Sequence, residues 1–206
     1  MRQRVLVAAL FCAGCLALLT GQALSGDDKH AGHQHGGDEQ AMMEMWKKMH
    51  QPGEHHAHLK PMAGHWNVTS RWRMSPEQPW DESKGTADFS WIMGGRFLVQ
   101  KVHNAEMMGE PFEGLGFMGY DALRKQYTSV WIDNMTTSTA MSTGSCDDSG
   151  KVLTMIGEGI DPMTGQTKEE KAVHKIINND KHMFEMYNTG PDGKEFVSLE
   201  VVYTRS

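Results

Sequence analysis

The sequence predicts an all-β fold: an antiparallel up-and-down barrel of about 8–10 strands, preceded by one short amphipathic helix. Three observations carry this. From Trp66 onward apolar residues recur at every second position, the period of a strand with one buried face. Turn signals then separate short β-leaning segments as far as Arg205-Ser206. Strand patterns nowhere alternate with helical ones in the rhythm of a parallel sheet. A meander of this kind loses its exposed edges by closing on itself.

The chain has 206 residues, enough for one medium domain with extensions. Residues 1–25 have the form of a signal peptide: Arg2 and Arg4, an apolar run from Val5 to Leu19, then Ala23-Leu24-Ser25. The apolar run is shorter than the roughly 20 residues that span a bilayer. The expected location is therefore periplasmic or secreted. Ala13-Gly14-Cys15 offers a rival, lipoprotein-type processing at Cys15, but Cys12 stands where such a site has leucine and the apolar Leu16-Ala17-Leu18-Leu19 follows. Cleavage after Ser25 leaves Cys146 alone, so no internal disulfide is expected. The formal charge of −6 becomes more negative once Arg2 and Arg4 are lost, which argues against nucleic acid or an anionic membrane as partner.

Residues 26–40 are polar, Gly- and His-rich and without periodicity, and are expected to be a disordered arm. Residues 41–60 hold the helix and a lead-in. Asp38 suits a first helical turn, Met42, Met45, Trp46 and Met49 fall on one face, and Pro52-Gly53 ends the pattern. That Met/Trp stripe is expected to pack on a barrel end or flank. The barrel domain occupies residues 61–206. In its first strand Trp66, Val68, Ser70, Trp72 and Met74 alternate with Asn67, Thr69, Arg71 and Arg73. Residues 75–84 read as a loop. Strand segments follow at 86–93, 97–105, 112–119, 127–132, 136–143, 152–158, 171–177, 182–187 and 195–204, with turn residues such as Gly94-Gly95, Asp147-Asp148-Ser149-Gly150 and Asn178-Asn179-Asp180 between them.

Gly64-x-Trp66 opens the β pattern, and Tyr203-Thr204-Arg205 ends it. This pairing resembles the lipocalin and calycin superfamily, in which an arginine from the last strand packs over the tryptophan of the first. The resemblance implies barrel closure by Gly64, Trp66 and Arg205. A fuller set is similar to the bacterial domain-of-unknown-function 1579 family: Gly53-x-x-His56-x-x-Leu59, Gly64-x-Trp66, Gly94-Gly95-Arg96-Phe97-Leu98, Gly116-Phe117-x-Gly119-Tyr120-Asp121, Trp131-Ile132-Asp133-Asn134 and Tyr203-Thr204-Arg205, in order over roughly residues 46 to 205. That family implies a calycin-like barrel and no established activity. The Thr-Asp-Tyr motif of classical lipocalins is absent, so their small-lipid function does not transfer.

Four groups of residues are candidates for chemistry. Trp72, Phe89, Trp91, Tyr127, Trp131 and Asn134 are the expected lining of a ligand pocket, set against the alternative of a barrel filled by its own side chains. His30, His33, His35, His55, His56 and His58, interleaved with methionines, have the donor types for weak copper or zinc binding; against this, His56 also suits a structural cap and Met at helical spacing is ordinary packing. His103, His174 and His182 are expected to face solvent, the rival role being a haem ligand of the kind some calycin-like barrels carry. Asp133, Asn134, Glu158, Asp161 and Glu185 supply acids and an amide for general acid–base work, but nothing in the sequence fixes their spacing, and catalysis is not expected. The resulting expectation is an exported barrel that binds a small apolar or amphipathic molecule. The alternative is a periplasmic copper- or zinc-handling protein acting through its His/Met-rich arm.

Overall fold

The structure, a computed structural model, describes residues 35–107, 109–160, 164–190 and 192–206. The expected signal peptide, Cys15, His30 and His33 lie outside the described residues, as does Asp161. Residues Gln40–Ser206 form one compact unit. Two helices, α1 (His35–His50) and α2 (Glu54–His58), and a short 3-10 turn, Lys60–Met62, come first. Ten strands follow: β1 (Gly64–Trp72), β2 (Asp81–Ile92), β3 (Phe97–Met107), β4 (Glu110–Asp121), β5 (Gln126–Asp133), β6 (Ala140–Cys146), β7 (Val152–Ile160), β8 (Thr167–Asn178), β9 (Lys181–Thr189) and β10 (Glu195–Arg205). They form a closed antiparallel barrel in which each strand pairs with its neighbours in sequence and β1 pairs with β10.

The seam between the first and last strands runs from Trp66↔Arg205 to Trp72↔Leu199. At its start the Arg205 guanidinium lies 4.2 Å from the centre of the Trp66 ring. The guanidinium also donates to the carbonyls of Pro61, Ala63 and Asn179. Trp66 is 1 % exposed and its Nε1 donates to Met62 O at 2.8 Å. Gly64 has φ +132°, and a Cβ there would stand 2.4 Å from Arg205 Nη1. A side chain there would push the guanidinium aside and strain a backbone conformation that favours glycine. The Gly-x-Trp spacing is thus a steric consequence of where the arginine sits.

One end of the barrel is plugged. Leu59, just after α2, and Met62, in the 3-10 turn, both 0 % exposed, pack onto Trp66, and Tyr127, Leu153, Met155 and His182 complete this fully buried floor. Above it the inward positions of β1, β3 and β9 are read off directly by alternation: Trp66, Val68, Ser70; Leu98, Gln100, Val102, Asn104; and His182, Phe184, Met186.

Three expectations need correction. Helix α1 starts at His35, within the stretch read as disordered, and its stripe is not packed away: Met42, Met45 and Trp46 are each more than half exposed. The polar stretch before Gly85 is not all loop, because β2 begins at Asp81, with Glu82 and Lys84 on its outer face and Asp81 at the rim opposite Trp72. Conversely β6 begins only at Ala140, because Asp133 Oδ1 accepts from the backbone N–H of both Met135 and Thr136 and turns the chain into a loop instead.

Replacing the closure residues should destabilise the barrel unequally. Trp66→Ala, which opens a cavity beside the plug, is expected to cost about 3–5 kcal/mol. Arg205→Ala, which loses a half-exposed cation–π contact and its carbonyl bonds, is expected to cost about 1–2 kcal/mol. Urea unfolding of both variants measures the two values, and no loss in either would refute the closure.

Candidate functional site

Between the plug and the open end the barrel is hollow. The cavity measures about 630 Å³. Phe89, Leu98, Val102, Phe112, Met155 and Val201 give it an apolar wall. Neutral polar side chains interrupt that wall at Ser70, Gln100, Asn104, Ser129, His174 and Tyr203. Its charged lining is acidic: Asp133, Glu158 and Glu170. The β5–β6 loop contributes Met135, Thr136 and Ser138 to the mouth.

Glycines shape two parts of the wall. The indole of Trp131 lies against β4, where a Cβ on Gly114 would stand 2.2 Å from the ring and one on Gly116 3.0 Å. Trp131 Nε1 donates to Asp133 Oδ2 at 2.9 Å, which holds the ring flat. On the other side, Asn104 pairs with Gly85 in the β2–β3 ladder. A Cβ on Gly85 would meet Asn104 Oδ1 at 2.4 Å. The amide therefore lies across β2 and donates from Nδ2 to Ser70 Oγ on β1 at 3.2 Å. Deeper in, Gln100 Nε2 donates to the Tyr203 hydroxyl at 2.9 Å.

Of the residues expected in the pocket, Phe89 and Trp131 line it. The others sit elsewhere for definable reasons. Trp72 ends β1 at the rim, beside Asp81, Glu82, Ser83 and Lys84. Trp91 packs partly buried against the core. Tyr127 belongs to the plug: its hydroxyl donates to His55 O at 3.1 Å and lies 2.7 Å from His58 Nδ1. Asn134 is a turn residue, accepting from Glu113 N and donating to Pro111 O.

His174 and His182 do not face solvent. They are 7 % and 2 % exposed and point into the barrel. His182 stacks on Tyr203 at 4.2 Å between centroids and meets Trp66 and Phe89 edge-on. Burial pushes the pKa of His174 down to about 4; burial, helped by His174 and Arg205, pushes that of His182 down to about 3. His103 is on the outer surface near Glu113. Glu185, buried among Lys175 and Tyr187, lies on the face of β9 opposite to Phe184 and Met186.

The histidines before the barrel do not converge. His35 opens α1. His55 stacks on Tyr120, His56 Nδ1 accepts from Gly53 N at 3.2 Å, and His58 reaches Tyr127. Among the described residues no group of three or more His, Cys, Asp or Glu side chains is placed to hold a metal ion. Ser70, Gln100, Asn104, Glu170 and Tyr203 are polar lining residues that sequence reasoning did not place in the pocket, and His174 lines it instead of facing solvent. The signal for the β3 pair was present, since Gln100 and Asn104 share the period-two face of Leu98 and Val102.

The two histidines make stability depend on pH in a defined direction. Each is neutral in the folded barrel down to its depressed pKa, whereas in the unfolded chain each takes up a proton near pH 6.5. Their contribution is complete above pH 6.5 and is lost as pH falls from there toward 4 and 3. Near pH 5 unfolding should take up about two protons, a slope of roughly 2–3 kcal/mol per pH unit. Urea titrations at pH 5 and 7 check this, and a His174→Leu/His182→Phe double variant should flatten the slope.

The fold has a solved counterpart. The crystal structure of Rv2717c from M. tuberculosis superposes with a TM-score of 0.55 at 16% identity, covering 76% of this chain and 99% of that one. A redesigned β-barrel covers 71% of this chain and 93% of its own, at 17% identity and a TM-score of 0.36, too low to carry an argument. No curated protein matches the chain. No helix among the described residues is long and apolar enough to cross a membrane. The profile of the family described as "Protein of unknown function (DUF1579)" matches residues 51–205, from just before α2 to the arginine that closes the barrel, and the chain belongs to that family.

Proposed function

We propose that this is an exported binding protein that encloses one small, mostly apolar molecule inside its barrel. The observation that carries the reading is the cavity. Its volume of about 630 Å³ falls within the roughly 300–1,000 Å³ of ligand pockets. A barrel that served only as a packed scaffold would fill that space with side chains, as it does around Trp66. Here small residues, among them Ala140 and Ala172, line the space and leave it open. Export rests on the leader from Arg2 to Ser25. No catalytic step is assigned: Asp133 is engaged by Trp131 and two backbone amides.

Filling the space tests the reading. Ala172 lies between Met155 on β7 and Met186 on β9 in the ladder. Ala172→Trp should leave the melting temperature unchanged or raised. It should weaken uptake of the neutral apolar dye 1-N-phenylnaphthylamine at least tenfold, read by fluorescence enhancement. If the wild-type protein fails to take up the dye, or the filled variant takes it up equally well, the reading is wrong.

A further inference from the structure

The cavity is not uniformly greasy, and its polar features point to one class of occupant. This inference rests on the binding reading above. Asn104 is 6 % exposed and lines the cavity. Its Nδ2 is engaged by Ser70, but its Oδ1 has no hydrogen-bond partner. His174 is 7 % exposed, lines the same cavity, and its Nδ1 also lacks a partner. A buried amide carbonyl left unpaired is costly, and it accepts hydrogen bonds only. The group that satisfies it must bring a donor. Gly85 makes the arrangement possible, because any side chain there would displace the Asn104 amide from its place across β2.

Charge narrows the class further. Among the described residues no Lys or Arg belongs to the cavity lining, and burial keeps His174 neutral at ordinary pH. The charged lining among the described residues is Asp133, Glu158 and Glu170, and Lys168 Nζ stands 4.0 Å from Glu170 Oε1. A carboxylate entering this barrel would lose its hydration, pass an acidic mouth and find no cation inside. It would also offer nothing to Asn104 Oδ1.

We infer that the cavity selects neutral amphiphiles whose polar group donates a hydrogen bond, such as an alcohol or primary amide on an apolar body, with that group directed to Asn104. Carboxylates of equal length are rejected by charge, and neutral molecules that only accept hydrogen bonds are held less tightly.

Three probes of one chain length separate these effects: 1-decanol, methyl decanoate and decanoate, each displacing 1-N-phenylnaphthylamine from the mature protein at pH 7.5. The expected order is decanol first, the ester several-fold weaker, and decanoate at least tenfold weaker than decanol. Asn104→Leu, nearly isosteric, should lower the affinity for decanol relative to that for the ester about tenfold; a cooperative urea transition shows that the variant is folded. Ser70→Ala should weaken decanol less. Decanoate binding as well as decanol, an ester equal to the alcohol, or an Asn104→Leu variant that keeps full affinity for decanol would each overturn the inference while leaving a hollow binding barrel in place. Failure of the dye to bind the wild-type protein overturns the binding reading, and the inference with it.

Discussion

The Arg205 guanidinium over the Trp66 indole is the contact on which the rest of the barrel depends. It joins the two ends of a long meander, and it does so beside the hydrogen-bonded seam of β1 and β10. Ladder bonds alone leave the first and last strands free to fray. The arginine adds bonds to the carbonyls of Pro61 and Ala63 on the incoming chain and of Asn179 in the β8–β9 turn. The incoming chain and the β8–β9 turn are thereby fastened to one side chain of β10. The lead-in is held in place, Leu59 and Met62 are held over Trp66, and the barrel has one solid end. The hollow can then lie only toward the other.

That division into a solid and a hollow half accounts for where polar groups are tolerated. Around Trp66 the fill is aromatic and aliphatic, and His182 enters as a flat ring stacked on Tyr203, kept neutral by its burial. Farther up, small side chains and glycines replace bulk, and uncharged polar groups pair with one another across strands: Gln100 with Tyr203, Asn104 with Ser70. Carboxylates appear only toward the mouth, where solvent hydrates them. Polarity thus rises along the barrel axis in step with access to water.

Much of this was legible in the chain. The period-two pattern and its turns gave the strand order, and Gly64-x-Trp66 with Arg205 gave the place of closure. The pocket was less legible. Large aromatic residues were expected to line it, yet Trp72, Trp91 and Tyr127 serve the rim, the core and the plug. Size predicts burial, but not height along a barrel axis, which depends on strand stagger. His174 and His182 were misplaced because β8 and β9 carry apolar residues on both faces: Val173 beside Ala172 and Ile176, Met183 beside Phe184. Alternation then loses its contrast, and a histidine fits either side. The exposed face of α1 is a similar case, since a periodic Met/Trp stripe states what a helix has available to bury and not whether the barrel covers it.

The bed that Gly114 and Gly116 make for Trp131 gives the barrel an adjustable capacity. The indole lies flat on bare backbone, so one side chain stands between the cavity and its own strand framework. A smaller residue at 131 would deepen the chamber to the level of the peptide groups, while the ladder from Gly114↔Asp133 to Asp121↔Gln126 stayed in register. A bulkier residue at 114 or 116 would instead push the ring inward and shrink the chamber. Chains built on this frame can therefore accept guests of different size by changes at three positions, with no strand added, lost or shifted.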